Sequence, residues 1–246
     1  MNASVLNEAP SVPEAPDAEA RQERLVTSPS ASPMLVEQFR NLAASLNRMQ
    51  RERSLKSLVV TSPAPGDGKS HVAINLALTL SGSYRRRVLL IDADMRRPTL
   101  HLALGVPGSP GLGSTLRGRD EGILPVVTVS ETLSFLPAGD AVANPIGDLS
   151  SGRMARLVTT LAARYDWVII DTPPAAGLAD ARIVSETADG VVLVVRSGVT
   201  RFPDLDASTQ ALGPERVLGV VLNAADPSEI RREDYYSHYY GGYGRS

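Results

Sequence analysis

A glycine-rich loop between an apolar run and a helical pattern constrains the fold of this chain more than any other feature. Residues 57–61 read Ser-Leu-Val-Val-Thr, which favours a strand, and the loop that follows ends in Gly68-Lys69-Ser70. Apolar residues then recur from Ala73 to Leu80 at helical spacing. Glycines let backbone N–H groups surround phosphate oxygens, and a helix N-terminus adds partial positive charge. The stretch therefore predicts a Walker A type loop, in which Lys69 reaches the phosphates and Ser70 binds Mg²⁺.

The other apolar runs predict the architecture around this loop. Most of them are continuous Val, Ile and Leu segments, which are typical of strands covered on both faces. Their alternation with helical patterns indicates an α/β fold of the P-loop NTPase type. Such a fold is a doubly wound, mostly parallel sheet with helices on both faces and a ligand site at the carboxyl ends of the strands. The predicted strands are 57–61, 87–92, 133–137, 166–171, 190–196 and 216–222, and the predicted helices are 34–53, 69–82, 147–164, 179–187 and 203–212.

Composition divides the chain into three parts and limits its class. Residues 1–33 are rich in Pro, Ala and Glu and predict a disordered arm, residues 34–227 predict one domain, and residues 228–246 predict a flexible tyrosine-rich tail. The net charge of −2 argues against attraction to nucleic acid or to anionic lipid, and the absence of cysteine excludes disulfides and thiolate metal sites. The apolar runs are far shorter than the ~20 residues of a membrane span, and the N-terminus lacks a secretion signal. We therefore expect a cytoplasmic protein.

Acidic residues follow two of the predicted strands. Asp92 and Asp94 close the run 87–94, and Asp171 closes the run 167–171. In a parallel sheet these ends lie at the same edge as the phosphate loop. Mg²⁺ prefers one or two carboxylates together with phosphate oxygens and water. The three carboxylates therefore predict a magnesium-dependent phosphate site rather than simple loop caps.

Three motifs together resemble one family. They are residues 65–70, the run Leu90-Ile91-Asp92-Ala93-Asp94-Met95-Arg96-Arg97-Pro98, and residues 168–174. In this combination the chain resembles the bacterial tyrosine kinases of capsule and exopolysaccharide synthesis, over about residues 34 to 246. The middle motif and the tyrosine-rich tail are the most specific signals. The resemblance continues in Asn144-Pro145, Asp180-Ala181 and residues 219–223.

The resemblance implies a role for each matching residue, with ATP and Mg²⁺ as cofactors. Lys69, Asp92, Asp94 and Asp171 would be catalytic, with Asp94 orienting the acceptor phenol and taking its proton. Ser70, Asp92 and Asp171 would hold the metal ion. The nucleotide would be bound by Pro65, Gly66, Asp67, Gly68, Lys69, Ser70, His71 and Asn223.

The resemblance also implies an activity and partners. The chain would be a non-specific protein-tyrosine kinase that phosphorylates its own tail and regulates exopolysaccharide or capsule synthesis and export. It implies a membrane-embedded polysaccharide chain-length regulator on a separate chain as activator, a cognate tyrosine phosphatase, and homo-oligomers. The regulator would bring the protein to the inner face of the plasma membrane. The predicted phosphoacceptors are Tyr235, Tyr236, Tyr239, Tyr240 and Tyr243, five of the seven tyrosines of the chain.

Three positions depart from the family pattern. His71 stands where the family has Thr, Asp148 lies beside the position of a family Glu, and Ala43 replaces an Arg of a subunit contact in the first helix. The apolar stripe Leu35, Phe39, Leu42 and Leu46 can therefore dock either on a neighbour or on its own sheet. Arg96 can contact an anion or remain in solvent.

Two other functional readings stay open. A partitioning or cell-division-positioning ATPase of the ParA/MinD type would share the fold and motifs, but such proteins carry a signature lysine where this chain has Ala64, and they lack a tyrosine cluster. A catalytically weak scaffold that gates polysaccharide export is the third reading. The tail itself can be a substrate, attacked within one subunit or between two, or a surface for a partner.

Overall fold

The strands form one sheet that brings three acidic strand ends to the same edge. In the computed structural model, which describes residues 22–119 and 123–226, seven strands pair in the order β3-β4-β2-β5-β1-β6-β7. Only the short β3 is antiparallel to its neighbour. The predicted α/β fold is therefore confirmed. The strands are β1 (Ser57–Thr61), β2 (Val88–Asp92), β3 (Val127–Thr128), β4 (Leu133–Leu136), β5 (Trp167–Asp171), β6 (Gly190–Arg196) and β7 (Val217–Asn223).

Helices cover both faces of this sheet. They are α1 (Pro33–Arg53), α2 (Lys69–Gly82), α3 (Leu100–Leu104), α4 (Leu112–Leu116), α5 (Ile146–Leu149), α6 (Arg153–Ala162), α7 (Asp180–Ser185) and α8 (Phe202–Leu212), and a 3₁₀ turn spans Pro214–Arg216. Alternate residues of the central strands point to two separate apolar clusters, one under α1 and α2 and the other under α6 and α7. In the described ranges, no helix is both long and apolar enough to cross a membrane.

The stripe on α1 packs against its own domain. The helix begins after Ser32, whose side chain accepts a hydrogen bond from the Leu35 backbone N–H at 3.2 Å. Phe39 and Leu46 are buried in the cluster beneath α2, and Ala43 has no exposed surface. The sequence predicts that the stripe docks either on a neighbouring subunit or on its own sheet, and in the structure it packs on the chain's own core.

The N-terminal boundary of the packed domain lies earlier than composition indicates. Leu25 is 8% exposed and joins the core cluster under α1. The Val26 backbone N–H donates to Asn75 Oδ1 on α2 at 2.6 Å. Residues 22–32, which the sequence assigns to the disordered arm, therefore lie against the domain, because Leu25 and Val26 pack on its core. Residues 1–21 are outside the described part of the chain.

Two regions differ from the predicted elements. The helix predicted over 147–164 is divided into α5 and α6, because Gly152 adopts a left-handed conformation (φ +69°) just before α6. Between β2 and β4, where no element is predicted, the chain forms α3, α4 and β3. These elements have two to five residues, which is too short for hydrophobic periodicity to reveal.

Candidate functional site

The phosphate loop connects β1 to α2 and is braced by the side chain of Asp67. Asp67 Oδ2 accepts the backbone N–H of Ala64 at 2.8 Å, and Asp67 Oδ1 accepts the hydroxyl of Thr200 at 2.8 Å. The side chain is almost completely buried. Asp67, predicted as a nucleotide-binding residue, therefore uses its carboxylate to hold the loop.

Glycine is required at the last position of this loop. Gly68 has φ +98°, a conformation that favours glycine. A Cβ atom at Gly68 would also overlap the side-chain amide of Asn223. Asn223 Nδ2 donates to the Asp67 carbonyl at 2.8 Å, so in this structure Asn223 supports the loop from the end of β7.

The charged centre of the site joins the loop to the ends of two strands. Lys69 Nζ lies 3.0 Å from Asp94 Oδ2 and 3.8 Å from Asp171 Oδ2. The Ser70 hydroxyl donates to Asp171 Oδ2 at 2.6 Å. Asp92 and Asp171 are direct neighbours in the pairing of β2 with β5. The structure thus brings together the five side chains that the sequence assigned to phosphate and metal chemistry.

Asp92 is held differently from the other two carboxylates. Its Oδ1 accepts the backbone N–H of Asp94 at 3.1 Å, and its Oδ2 accepts those of Thr99 and Leu100 at 3.3 and 3.2 Å. The side chain has no exposed surface. In this arrangement Asp92 shapes the segment that carries Asp94, and its role as a metal ligand stays a prediction.

Burial and mutual repulsion shift the titration of this group of residues. Burial, together with the charges of Asp171 and Asp94, raises the pKa of Asp92 to about 8. Burial also raises the pKa of Asp171 to about 6, although Lys69 and the Ser70 hydrogen bond oppose the shift. Burial disfavours the Lys69 ammonium, but the three carboxylates outweigh it and raise the pKa of Lys69. The site therefore contains one buried ammonium group, that of Lys69, surrounded by three acidic side chains.

A carboxylate oxygen without a hydrogen-bond partner indicates whether Mg²⁺ fits these residues. Asp171 Oδ1 is buried and has no hydrogen-bond partner among the described residues, while Oδ2 accepts the Ser70 hydroxyl. A buried carboxylate oxygen without a donor suits a cation or its bound water. No cluster of three His, Cys, Asp or Glu ligands occurs in the described ranges. The residues therefore fit an ion that takes most of its ligands from phosphate and water, as Mg²⁺ does.

A cleft of about 1450 Å³ is lined by the phosphate loop and by Lys69, Ser70 and Asp94 of the charged centre. The remaining predicted nucleotide residues, Pro65, Gly66 and His71, also line the cleft. The His71 ring packs edge-on against Phe39 with centroids 6.0 Å apart. Burial and the charge of Arg24 lower the pKa of His71. The predicted acceptor tyrosines, Tyr235 to Tyr243, lie outside the described residues.

Sequence reasoning missed the polar contacts that support the site. Arg96 lines the cleft and makes the anion contact of its two predicted states, because its guanidinium forms a two-point ion pair with the buried Asp180 carboxylate. The Thr200 contact with Asp67 joins residues 133 positions apart. No local spacing marks either contact.

Comparison with known proteins identifies related sequences over most of the chain. Residues 54–223 match the ParA family described as NUBPL iron-transfer P-loop NTPase. Iron–sulfur clusters are held by cysteine thiolates, and this chain has no cysteine, so it lacks these ligands. The chain is 37% identical to the tyrosine-protein kinase YwqD of Bacillus subtilis over 203 residues, which cover 81% of this chain and 85% of that protein. It is 32% identical to the tyrosine-protein kinase Wzc of Salmonella typhimurium over 222 residues, or 89% of this chain, but spans only 30% of the length of Wzc.

Solved structures give the same relationship. The kinase domain of the Escherichia coli tyrosine kinase ETK superposes with a TM-score of 0.71 at 30% identity, covering 78% of each chain. The cell division ATPase MinD of Pyrococcus furiosus superposes with a TM-score of 0.58 at 24% identity, covering 68% of this chain and 71% of that one. The second likeness is one of fold alone.

Proposed function

Because the chain belongs to the bacterial tyrosine kinases of capsule and exopolysaccharide synthesis, we propose that it transfers the γ-phosphoryl group of ATP to tyrosine hydroxyl groups. The first acceptors would be its own tail residues Tyr235, Tyr236, Tyr239, Tyr240 and Tyr243. Through this reaction the protein would regulate polysaccharide synthesis and export. The observation that carries the proposal is the meeting of Lys69, Ser70, Asp94 and Asp171 beside the phosphate loop.

Phosphoryl transfer depends mainly on positioning and on charge stabilisation, and these residues can supply both. The backbone N–H groups of the loop and the Lys69 ammonium would bind the phosphates. Ser70 and Asp171 would hold Mg²⁺, which when bound neutralises charge on the phosphates. The orphaned Asp171 oxygen and the short Ser70 contact support that assignment.

Asp94 is the side chain best suited to receive the proton of the acceptor. A phenol titrates near pH 10, so at neutral pH it is a weak nucleophile without a carboxylate beside it. In the structure, Asp94 Oδ2 is paired with Lys69 at 3.0 Å. When Lys69 turns to a phosphate, this oxygen becomes free to accept the phenolic hydrogen. Substrate binding would thus release the base that the reaction needs.

The experiment that tests the proposal compares two lysine variants. The full chain is incubated with ATP and Mg²⁺, and phosphotyrosine is mapped in the wild type, in Lys69→Met and in Lys56→Met. Lys56 is the other lysine of the chain and is exposed at the opposite end of β1, so it is a matched control. We expect Lys69→Met to reduce tail phosphorylation by at least ~100-fold, because it removes the positive charge that would stabilise the transferred phosphoryl group. Lys56→Met should leave tail phosphorylation unchanged.

The same experiment separates the kinase from the nucleotide-switched ATPase of the ParA/MinD type. Turnover of ATP with an unmodified tail, measured in the presence of an activating regulator fragment, would contradict the kinase and favour the switch. The membrane-embedded chain-length regulator, the cognate tyrosine phosphatase and a homo-oligomer remain part of the proposal. A cytoplasmic location at the inner face of the plasma membrane follows from that regulator.

A further inference from the structure

Basic side chains collect at the amino edge of the sheet, opposite the nucleotide site. Strands β1, β5 and β2 are adjacent and parallel, so the segments that enter them meet at one edge. Hydrogen bonds join these segments directly. Gln50 Nε2 donates to the carbonyls of Leu55 and Asp166 at 2.9 and 2.8 Å, and the Asp166 backbone N–H donates to the Arg87 carbonyl at 2.8 Å. We call residues 48–56, 85–87 and 164–166 the basic edge.

The basic edge contrasts with the charge of the whole chain. It contains eight basic and two acidic residues, whereas the chain as a whole has a net charge of −2. The flanking strands β4 and β6 begin beside one acidic residue each, Glu131 and Asp189. Even with these two included, the edge retains a net charge of +4. The basic residues are Arg48, Arg51, Arg53, Lys56, Arg85, Arg86, Arg87 and Arg164.

Three of the four acidic groups at this edge are already engaged. Glu52 pairs with Arg48 at 4.0 Å, and Asp166 pairs with Arg87 at 3.5 Å. Asp189 Oδ2 accepts two backbone N–H groups and the Ser57 hydroxyl at 2.7 to 2.9 Å. Among the described residues, Arg51, Arg53, Arg85 and Arg164 form no salt bridge, and all four are exposed. Lys56 is also exposed, and its charge acts on Asp166.

The form of this surface indicates which anionic partner fits it. The large cleft lies at the other edge of the sheet, and none of its lining residues belongs to the basic edge. A peptide that binds in a groove or adds to a strand edge would need a feature other than charge, whereas an anionic lipid surface needs only exposed basic side chains. None of the exposed large apolar side chains of the described ranges lies at the basic edge. Contact would therefore be electrostatic, with headgroups and without insertion into the acyl layer.

We propose that the basic edge binds the chain directly to an anionic lipid surface. In that orientation the nucleotide site and the end of β7, from which the tail continues, face away from the bilayer. Attraction of this kind amounts to about a fivefold gain in affinity for each basic residue near the surface. This contact goes beyond the proposed kinase function, because it requires neither catalysis nor the regulator.

The test is cosedimentation of the full chain with phosphatidylcholine vesicles, with and without phosphatidylserine. We expect binding only to the anionic vesicles, weakening steeply as salt rises above about 0.1 M. The triple variant Arg53→Gln, Arg85→Gln, Arg164→Gln should bind them on the order of 100-fold more weakly. The control variant Arg119→Gln, Arg182→Gln, Arg201→Gln changes the net charge equally at exposed positions away from the edge, and should bind like the wild type.

Three outcomes would overturn the proposal. They are equal binding to neutral and anionic vesicles, equal losses in the two triple variants, and tighter binding to duplex DNA than to vesicles of equal phosphate content. The last result would identify nucleic acid as the partner. Both triple variants should keep the thermal midpoint and the tail phosphorylation of the wild type in solution. A failure of lipid binding is therefore distinguishable from a failure of the kinase.

Discussion

The guanidinium of Arg96 connects three segments around the charged centre of the site. It contacts both carboxylate oxygens of Asp180, with Nε–Oδ1 and Nη2–Oδ2 distances of 3.1 and 3.2 Å. Its Nη1 donates to the Ala143 carbonyl at 2.6 Å. Asp180 has no exposed surface, so its charge depends on this partner. Because Arg96 lies two residues after Asp94, the contact fixes the segment that presents the predicted base.

At this scale we predict that Arg96→Lys lowers kcat for tail phosphorylation by about tenfold or more, with little change in the KM for ATP. Lysine keeps the charge but cannot reproduce the two-point contact, so Asp94 loses its position while the phosphate loop stays intact. Steady-state kinetics with variable ATP measure both constants. Arg182→Lys, on the same helix as Asp180 but exposed, is the control and should behave as wild type. An increase in KM at constant kcat would instead indicate that Arg96 binds the nucleotide.

At the scale of elements, the segment before α1 forms part of the domain and a wall of the cleft. Arg24, Leu25 and Ser32 line the same cleft as Lys69. Leu25 is buried in the core, and Asn75 on α2 accepts the Val26 backbone N–H and donates to the Arg24 carbonyl at 3.4 Å. Asn75 is four residues beyond His71, so the segment is attached one helical turn from the phosphate loop. Its packing and the shape of the cleft are therefore linked.

We expect Leu25→Ala to lower the free energy of unfolding by about 2 to 3 kcal/mol, because it leaves a cavity under α1. Leu102→Ala is the matched control. Leu102 is 41% exposed on α3, and its truncation should cost less than ~1 kcal/mol. Urea denaturation of both variants measures the difference. Equal stabilities would show that the segment contributes nothing to the core.

Sequence predicted those elements whose limits are marked by strong local signals. The bounds of β1, α2 and β6 are as predicted, because unbroken apolar runs and the Gly-Lys-Ser turn delimit them. The rule that parallel strands share a carboxyl edge also predicted the meeting of Asp92, Asp94 and Asp171 with the loop. The attachment of Leu25 and the Arg96 contact with Asp180 could not be predicted in this way. Both join residues distant in sequence, and they depend on packing that exists only after the sheet has formed.

At the scale of the whole molecule, buried acidic groups gather at the carboxyl edge of the sheet and exposed basic groups at the amino edge. The carboxyl edge buries three carboxylates around one ammonium, and the amino edge exposes the unpaired arginines. Burying excess negative charge opposes folding until a cation offsets it. The nucleotide-free fold should therefore be weakened by the groups that its proposed reaction requires.

The unfavourable burial of negative charge predicts that the free energy of unfolding falls as the pH rises from about 6.5 to 8 in protein free of metal and nucleotide. Folding raises the pKa of Asp92 from 3.8 to about 8, so between these values the folded state holds a proton that the unfolded state has lost, and stability decreases with pH. Asp171 has a pKa of about 6, so the decrease in stability that it causes lies below this pH range. The pKa of His71 is lowered from 6.5, so this residue makes stability rise with pH, and its effect also lies below this pH range. Urea midpoints measured in chelator should thus decline between pH 6.5 and 8 in the wild type and much less in Asp92→Asn, and a midpoint that rises in the wild type would contradict the assignment.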